Sequence, residues 1–244
     1  MKLLLRARQK YAELHATGVS YRAMSRELGV SERVLYLFRR EMHLPRRKRG
    51  DKPGHPYYGR KKLSLVRWGL IPSWAKDASA AARMINARSE TAATKPAFRD
   101  ALKFRRCLIP ADGFYEWVRT GKTKQPYCFE VNAGELFAFA GIWDRWWDPS
   151  GNAVETCSIL TTTPNTVTSA VHDRMPVILD PDSYDLWLDP GMQNVTAISE
   201  LLKPFDGRLM RCYPVSKRIN HVANDDEGCS RPVEVEQIQN RLFS

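Results

Sequence analysis

Residues 104–117 read FRRCLIPADGFYEW, and they decide the fold class. Two runs of aliphatic and aromatic residues are broken by Pro110, Asp112 and Gly113, a texture that marks strands or strand ends and not a helix. The same texture extends on both sides. KLSLVRWGL (62–70), QPYCFEVN (125–132), ELFAFAGIWDRW (135–146), ETCSILTTTP (155–164) and MPVIL (175–179) each read as strands or strand ends. Helical patterns are fewer: SAAARMINA (79–87), TKPAFRDALKF (94–104), DSYDLWLD (182–189) and VTAISELLK (195–203). Strands in the middle with helices around them predict an α+β domain, built on a mostly antiparallel, strongly curved sheet of β-barrel type.

The chain has 244 residues and 43% apolar side chains, enough for one large domain or for a domain with a small appendage. MKLLLRARQK offers only three leucines before Arg6, and LFAFAGIW (136–143) falls well short of the roughly 20 residues of a membrane span. The expectation is a soluble cytoplasmic protein, nucleoid-associated in a bacterium, with no membrane partner. Cys107, Cys128, Cys157, Cys212 and Cys229 form no CxxC pair, and the five histidines are scattered, so reduced thiols and neither metal nor cofactor are expected. TGKTKQ (120–125) imitates a phosphate loop, but the glycine required five residues before Gly121 is Glu116.

The net charge of +11 is unevenly placed. Residues 1–62 hold 17 Lys and Arg against 5 Asp and Glu, and residues 63–244 hold 21 against 22. All the excess positive charge therefore sits in the first quarter of the chain, where it suits a phosphate backbone. Within it, ARQKYAELHATG (7–18), SYRAMSRELG (20–29) and SERVLYLFRREMH (31–43) predict three short helices, with Ser20 and Ser31 as N-caps and Gly18 and Gly29 as stops. GVSYRAMSRELGVS (18–31) resembles the helix-turn-helix of transposases and resolvases, which would make residues 32–41 the recognition helix, with Arg33, Arg39 and Arg40 toward DNA. A three-helix packing module is the other reading. The predicted organisation is a basic helix-turn-helix-like module over 1–44, a Pro/Gly-rich basic linker over 45–62 and the α+β domain over 63–244.

Four stretches of that domain are unusually polar for scaffold: RWGLIPSWAKD (67–77), INARSET (85–91), IPADGFYEW (109–117) and HDRMP (172–176). They set Asn86, Arg88, Glu90, Glu116 and His172 beside apolar residues that would hold them rigidly. Together with YPVSKRIN (213–220), and in this order, the stretches resemble the SOS response-associated peptidase (SRAP) family of abasic-site processing proteins over about residues 63–235.

The resemblance implies binding to single-stranded DNA at an abasic site and, in the family, covalent attachment through an N-terminal cysteine whose amine and thiol close a thiazolidine on the sugar aldehyde. It implies that Asn86, Glu116 and His172 surround the reacting groups, and that Arg88 meets a phosphate. The chemistry is consistent with these types. Imine formation needs proton shuttling near neutral pH, which suits His172; a carboxylate can take the amine proton; and an amide orients groups without titrating. Trp68 and Trp74 offer flat faces for stacking exposed bases, with core packing as the alternative.

One departure bears on activity. Lys2 stands where the family pattern has cysteine, MKLLL differs from the family's MCGRF start, and the remaining cysteines lack a free α-amine. The expectation is a SRAP-related DNA-binding protein whose crosslinking is impaired. Peptidase activity in the family is tied to release of the first methionine, and lysine-based lyase chemistry would need a lysine of lowered pKa. The alternative is a sequence-specific duplex-DNA-binding protein that uses the N-terminal helices.

Overall fold

The computed structural model describes residues 63–234, Lys122 and Pro190 excepted. The helix-turn-helix expected over 1–44, with Arg33, Arg39 and Arg40, and the linker over 45–62 lie outside these residues. Among the described residues ten strands form two sheets.

The larger sheet is organised around a hairpin of β6 (Phe137–Trp147) and β7 (Ala153–Thr162). These strands pair antiparallel from Trp147 opposite Ala153 as far as Gly141 opposite Ile159, and then part. MPVIL enters the gap. β8 (Met175–Pro176) pairs with Thr161 and Thr162, and β9 (Ile178–Leu179) pairs with Ala138 and Phe139. Val177 joins the two sides, its N–H donating to the Leu160 carbonyl and its carbonyl accepting from the Ala140 N–H, both at 2.8 Å. The wedge delivers the preceding residues, His172 to Arg174, to the end of β7. Along the other edge of β7, β1 (Arg67–Trp68) and β2 (Asn86–Arg88) run parallel to it, while β3 (Arg106–Ala111) pairs antiparallel with β6.

The smaller sheet is wholly antiparallel, with β5 (Thr123–Val131) between β4 (Phe114–Thr120) and β10 (Met210–Pro214). Side chains alternate across each strand, and the alternation sorts them into three layers. Ile109, Phe114, Phe129, Phe139, Ile159 and Met175 fill the space between the sheets, where Phe114 stacks on Phe129 with centroids 4.9 Å apart. On the outer face of the larger sheet, Ala140, Ile142, Leu160 and Val177 pack against α1 (Ser89–Ala92), α2 (Arg99–Phe104), α3 (Tyr184–Leu188) and α4 (Val195–Ser199). The outer face of the smaller sheet is covered by Val215, Ile219 and Cys229.

The α+β class and the mostly antiparallel pairing match the sequence expectation. The single barrel-type sheet does not: among the described residues the strands form two separate sheets that do not close on one another. Two local expectations are corrected as well. SAAARMINA is helical only as a 3-10 turn over Ala81–Arg83, because Asn86–Arg88 are taken up as a parallel strand on β7. KLSLVRWGL contributes only Arg67–Trp68, because Gly69 ends the strand at φ 110° with its α-carbon against the Ala81 carbonyl; a β-carbon there would lie 2.6 Å from that oxygen.

Candidate functional site

The register decides which side chains meet. Ala87 belongs to the outer core and Ile159 to the core between the sheets, so Asn86 and Arg88, paired with Ile159 and Thr161, lie on the face of β2 that looks toward the smaller sheet. Trp68, paired with Cys157, lies on that same face. From the other sheet, Glu116 shares the side of β4 that carries Phe114, with Tyr115 and Trp117 turned to the opposite face. The apolar core thus ends in a mouth, with Asn86, Arg88 and Trp68 on one wall and Glu116 on the other. Asn86 and Arg88 are exposed, and Glu116 is half-buried.

His172 comes to this mouth on the loop before β8. Its main-chain N–H donates to the carbonyl of buried Thr168 at 2.9 Å, and its Nδ1 accepts from the Arg174 N–H at 3.0 Å. Asp173 Oδ1 lies 3.2 Å from the same nitrogen. Arg174 anchors the loop: its guanidinium donates to both Glu90 carboxylate oxygens at 2.7 and 2.9 Å and to the Thr161 carbonyl at 2.7 Å. Glu90 is held below its ordinary carboxylate value chiefly by this hydrogen bonding to Arg174. Glu116 moves the other way. Burial pushes its carboxyl up, the neighbouring His172 partly opposes that shift, and Asp173 adds to it. Glu116 and His172 therefore sense each other across the mouth as an acid and a base of unlike surroundings.

Residues 31–222 match the family model of the SOS response associated peptidase (SRAP) family. The chain belongs to this family. Its relatives include the abasic site processing protein YoqW of Bacillus subtilis (strain 168), 46% identical over 165 residues that span 67% of this chain and 74% of that one. The abasic site processing protein HMCES of Gallus gallus is 34% identical over 197 residues, 71% of this chain and 58% of that one. Among solved structures, a Bacteroides thetaiotaomicron protein superposes with a TM-score of 0.67 at 33% identity, covering 71% of this chain and 78% of its own.

Within this SRAP domain the five cysteines are buried or half-buried free thiols. Burial pushes the thiols of Cys157 and Cys212 up to about 11 and that of Cys128 up to about 12. Such thiols are inert as nucleophiles near neutral pH. Among the described residues no group of three or more His, Cys, Asp or Glu is placed to hold a metal ion, and no helix is long and apolar enough to cross a membrane.

The two tryptophans are placed differently. Trp68 is 37% exposed at the mouth, its indole N–H bonded to the Ile85 carbonyl at 2.7 Å. Trp74 is 64% exposed on a turn that the Asp144 carboxylate and the Trp146 indole fasten to the opposite face of β6. Thr161, which receives Arg174 through its carbonyl and sits opposite Arg88, is the site member that sequence reasoning misses. In TTTP it is one threonine among three, and only the pairing distinguishes it.

Proposed function

We propose that this chain is a DNA-binding SRAP protein that recognises abasic sites in single-stranded DNA and shields them, with cysteine-dependent crosslinking impaired. The observation that carries the reading is the placement of Glu116, drawn by burial toward its neutral form, opposite His172 on a pinned loop. A carboxyl of raised pKa beside an imidazole is suited to exchange a proton with a sugar aldehyde or its hydrate. In this reading Asn86 orients the opened sugar, Arg88 meets a phosphate, and Trp68 stacks a flanking base, with Trp74 a more distant stacking position. The names of the relatives support DNA abasic sites as the target. Impairment is supported by the thiols: the five cysteines are buried or half-buried in the fold, and at their internal positions they lack the free amine that a thiazolidine requires. Such a protein would act in the cytoplasm and, in a bacterium, on the nucleoid.

The test is a binding series with single-stranded oligonucleotides, one carrying an abasic site and one intact, followed by a denaturing gel. Preference for the abasic strand, lost on Glu116→Gln or His172→Ala and with no stable shifted band, is the expected result. Trp68→Ala should weaken binding by about 1–3 kcal/mol, the value of one base stack. Equal affinity for abasic, intact and duplex DNA would refute the reading, a stable band would show that crosslinking survives, and cleaved strand without a band would reveal lyase chemistry.

A second reading rests on the charge of residues 1–62, where 17 basic residues face 5 acidic ones. In it the N-terminal segment reads duplex DNA through Arg33, Arg39 and Arg40. A footprint on one duplex sequence that vanishes on deleting residues 1–50 would favour it.

A further inference from the structure

We infer that Glu90 is a positioning residue, which through Arg174 fixes the tautomer of His172; the inference rests on the proposed role of His172 and assigns a part to a side chain which that proposal leaves unused. Glu90 stands in α1, directly after the β2 residues Asn86 and Arg88 that wall the mouth. Its two oxygens take the Arg174 guanidinium end-on at 2.7 and 2.9 Å. The same guanidinium reaches the Thr161 carbonyl at 2.7 Å and the Thr161 hydroxyl at 3.2 Å. Three elements, α1, β7 and the loop before β8, are thereby joined by one planar cation, whose fork geometry a lysine cannot reproduce.

The consequence falls on the imidazole. With Arg174 fixed at its side chain, its main-chain N–H is held 3.0 Å from His172 Nδ1. A neutral imidazole that accepts at Nδ1 must carry its proton on Nε2. That leaves Nε2–H as the group available to Glu116 and to a substrate. The other groups at Nδ1, the Asp173 carboxylate and the Arg174 carbonyl, each at 3.2 Å, are acceptors that come into use only when Nδ1 is protonated. Glu116 from β4, Asp173 from the loop itself, and Arg174 with its Glu90 are the charged groups around this ring. Losing Glu90 leaves the Arg174 guanidinium held by Thr161 alone, loosens the Arg174 N–H, and lets the proton of neutral His172 divide between the two nitrogens.

The full chain with 15N-labelled histidine tests this directly, the His172 signals being identified by their absence in His172→Ala. At a pH where the ring is neutral, the wild type should show one unprotonated Nδ1 and one protonated Nε2. Glu90→Ala and Arg174→Lys should both move the two nitrogen shifts toward each other, as a mixed tautomer does, and Glu90→Gln, which keeps one acceptor oxygen, should fall between. A purely structural ion pair would lower the melting temperature and leave the tautomer in place. Unchanged nitrogen shifts in any of the three variants that remains folded, or a protonated Nδ1 in the neutral wild type, would overturn the inference. No DNA is present in this measurement, so its outcome is separate from that of the abasic-site series. A tautomer that shifts in a protein indifferent to abasic DNA would leave the positioning role standing and remove the function.

Discussion

Arg106 and Glu116 are both charged groups drawn into the protein, and they are treated in opposite ways. Arg106 is only 8% exposed, and burial lowers its pKa. Its guanidinium donates to the carbonyls of Leu102 and Lys103 in α2, of Trp187 in α3 and of Asp189 just beyond it. The first three oxygens are acceptors of the kind a helix leaves unpaired at its C-terminus, where the helix dipole also favours a cation, whereas the Asp189 carbonyl also accepts from the Met192 N–H. One side chain thus caps two helices and ties them to β3. Glu116 has the reverse environment: burial raises its pKa, and among the described residues no hydrogen bond offsets that rise. A buried charge that the backbone satisfies is architecture, whereas a desolvated charge left to a titratable neighbour is what a site needs.

Arg106→Met should break this comparison most visibly. It leaves the carbonyls of Leu102, Lys103 and Trp187 without this donor, while that of Asp189 keeps the Met192 N–H, and the expected loss is about 3 kcal/mol in urea unfolding. Arg106→Lys should lose less, since an ammonium retains the charge and three donors but cannot span both helix ends. If either variant stays folded, its preference for abasic DNA should match the wild type. A large stability loss with unchanged binding preference places Arg106 on the architectural side; equal stability would refute the double-cap argument.

Glu116→Gln should give a smaller effect of opposite sign on stability. The amide is nearly isosteric and does not need to be charged, so at neutral pH the variant should melt higher, by about 2 °C if the relief approaches 1 kcal/mol. The same variant should lose the preference for abasic DNA. A stabilised protein with weakened function is the signature of a group kept for its chemistry against the interest of the fold. A destabilised Glu116→Gln would instead mean that the carboxylate is structurally paired, as Arg106 is.

How much of this was legible in the sequence depends on the range of the interaction concerned. The FRRCLIPADGFYEW turn and the β-branched and aromatic runs are local signals, and all but KLSLVRWGL, which supplies only Arg67–Trp68, become strands close to their expected places. The four polar stretches were legible as site candidates because their side chains are out of place in scaffold. Asn86 reads as the end of a helix and not as a strand, since SAAARM has good helix formers and nothing local reports the parallel partner on β7. The facing of Asn86 and Arg88 toward Glu116 depends on strand parity in two different sheets, which no window of sequence contains. Arg106 was invisible for a related reason: beside Arg105 it reads as half of a surface basic pair, although Arg105 bridges Asp144 while Arg106 turns inward.

The smallest predicted effect sharpens the comparison inside the mouth itself. Glu90 and Glu116 share an ordinary value near 4.5 and are displaced in opposite directions, so they should leave opposite marks on stability against pH. For Glu90 the folded pKa is the lower one. Its contribution is present above the unfolded value and is lost as pH falls through the folded value, so the stability difference between wild type and Glu90→Gln should shrink below about pH 4.5. For Glu116 the folded pKa is the higher one. Between the unfolded and folded values the folded protein binds more protons, so wild-type stability relative to Glu116→Gln should fall as pH rises from about 4.5. The Glu90 effect should be the weaker, because its side chain is 46% exposed and solvent screens its pair with Arg174. Urea unfolding of the wild type and the two variants across the acid range measures both slopes. Slopes of the same sign would mean that the two carboxylates share one kind of surroundings, and the division of the mouth into a pinned wall and a reactive wall would fail.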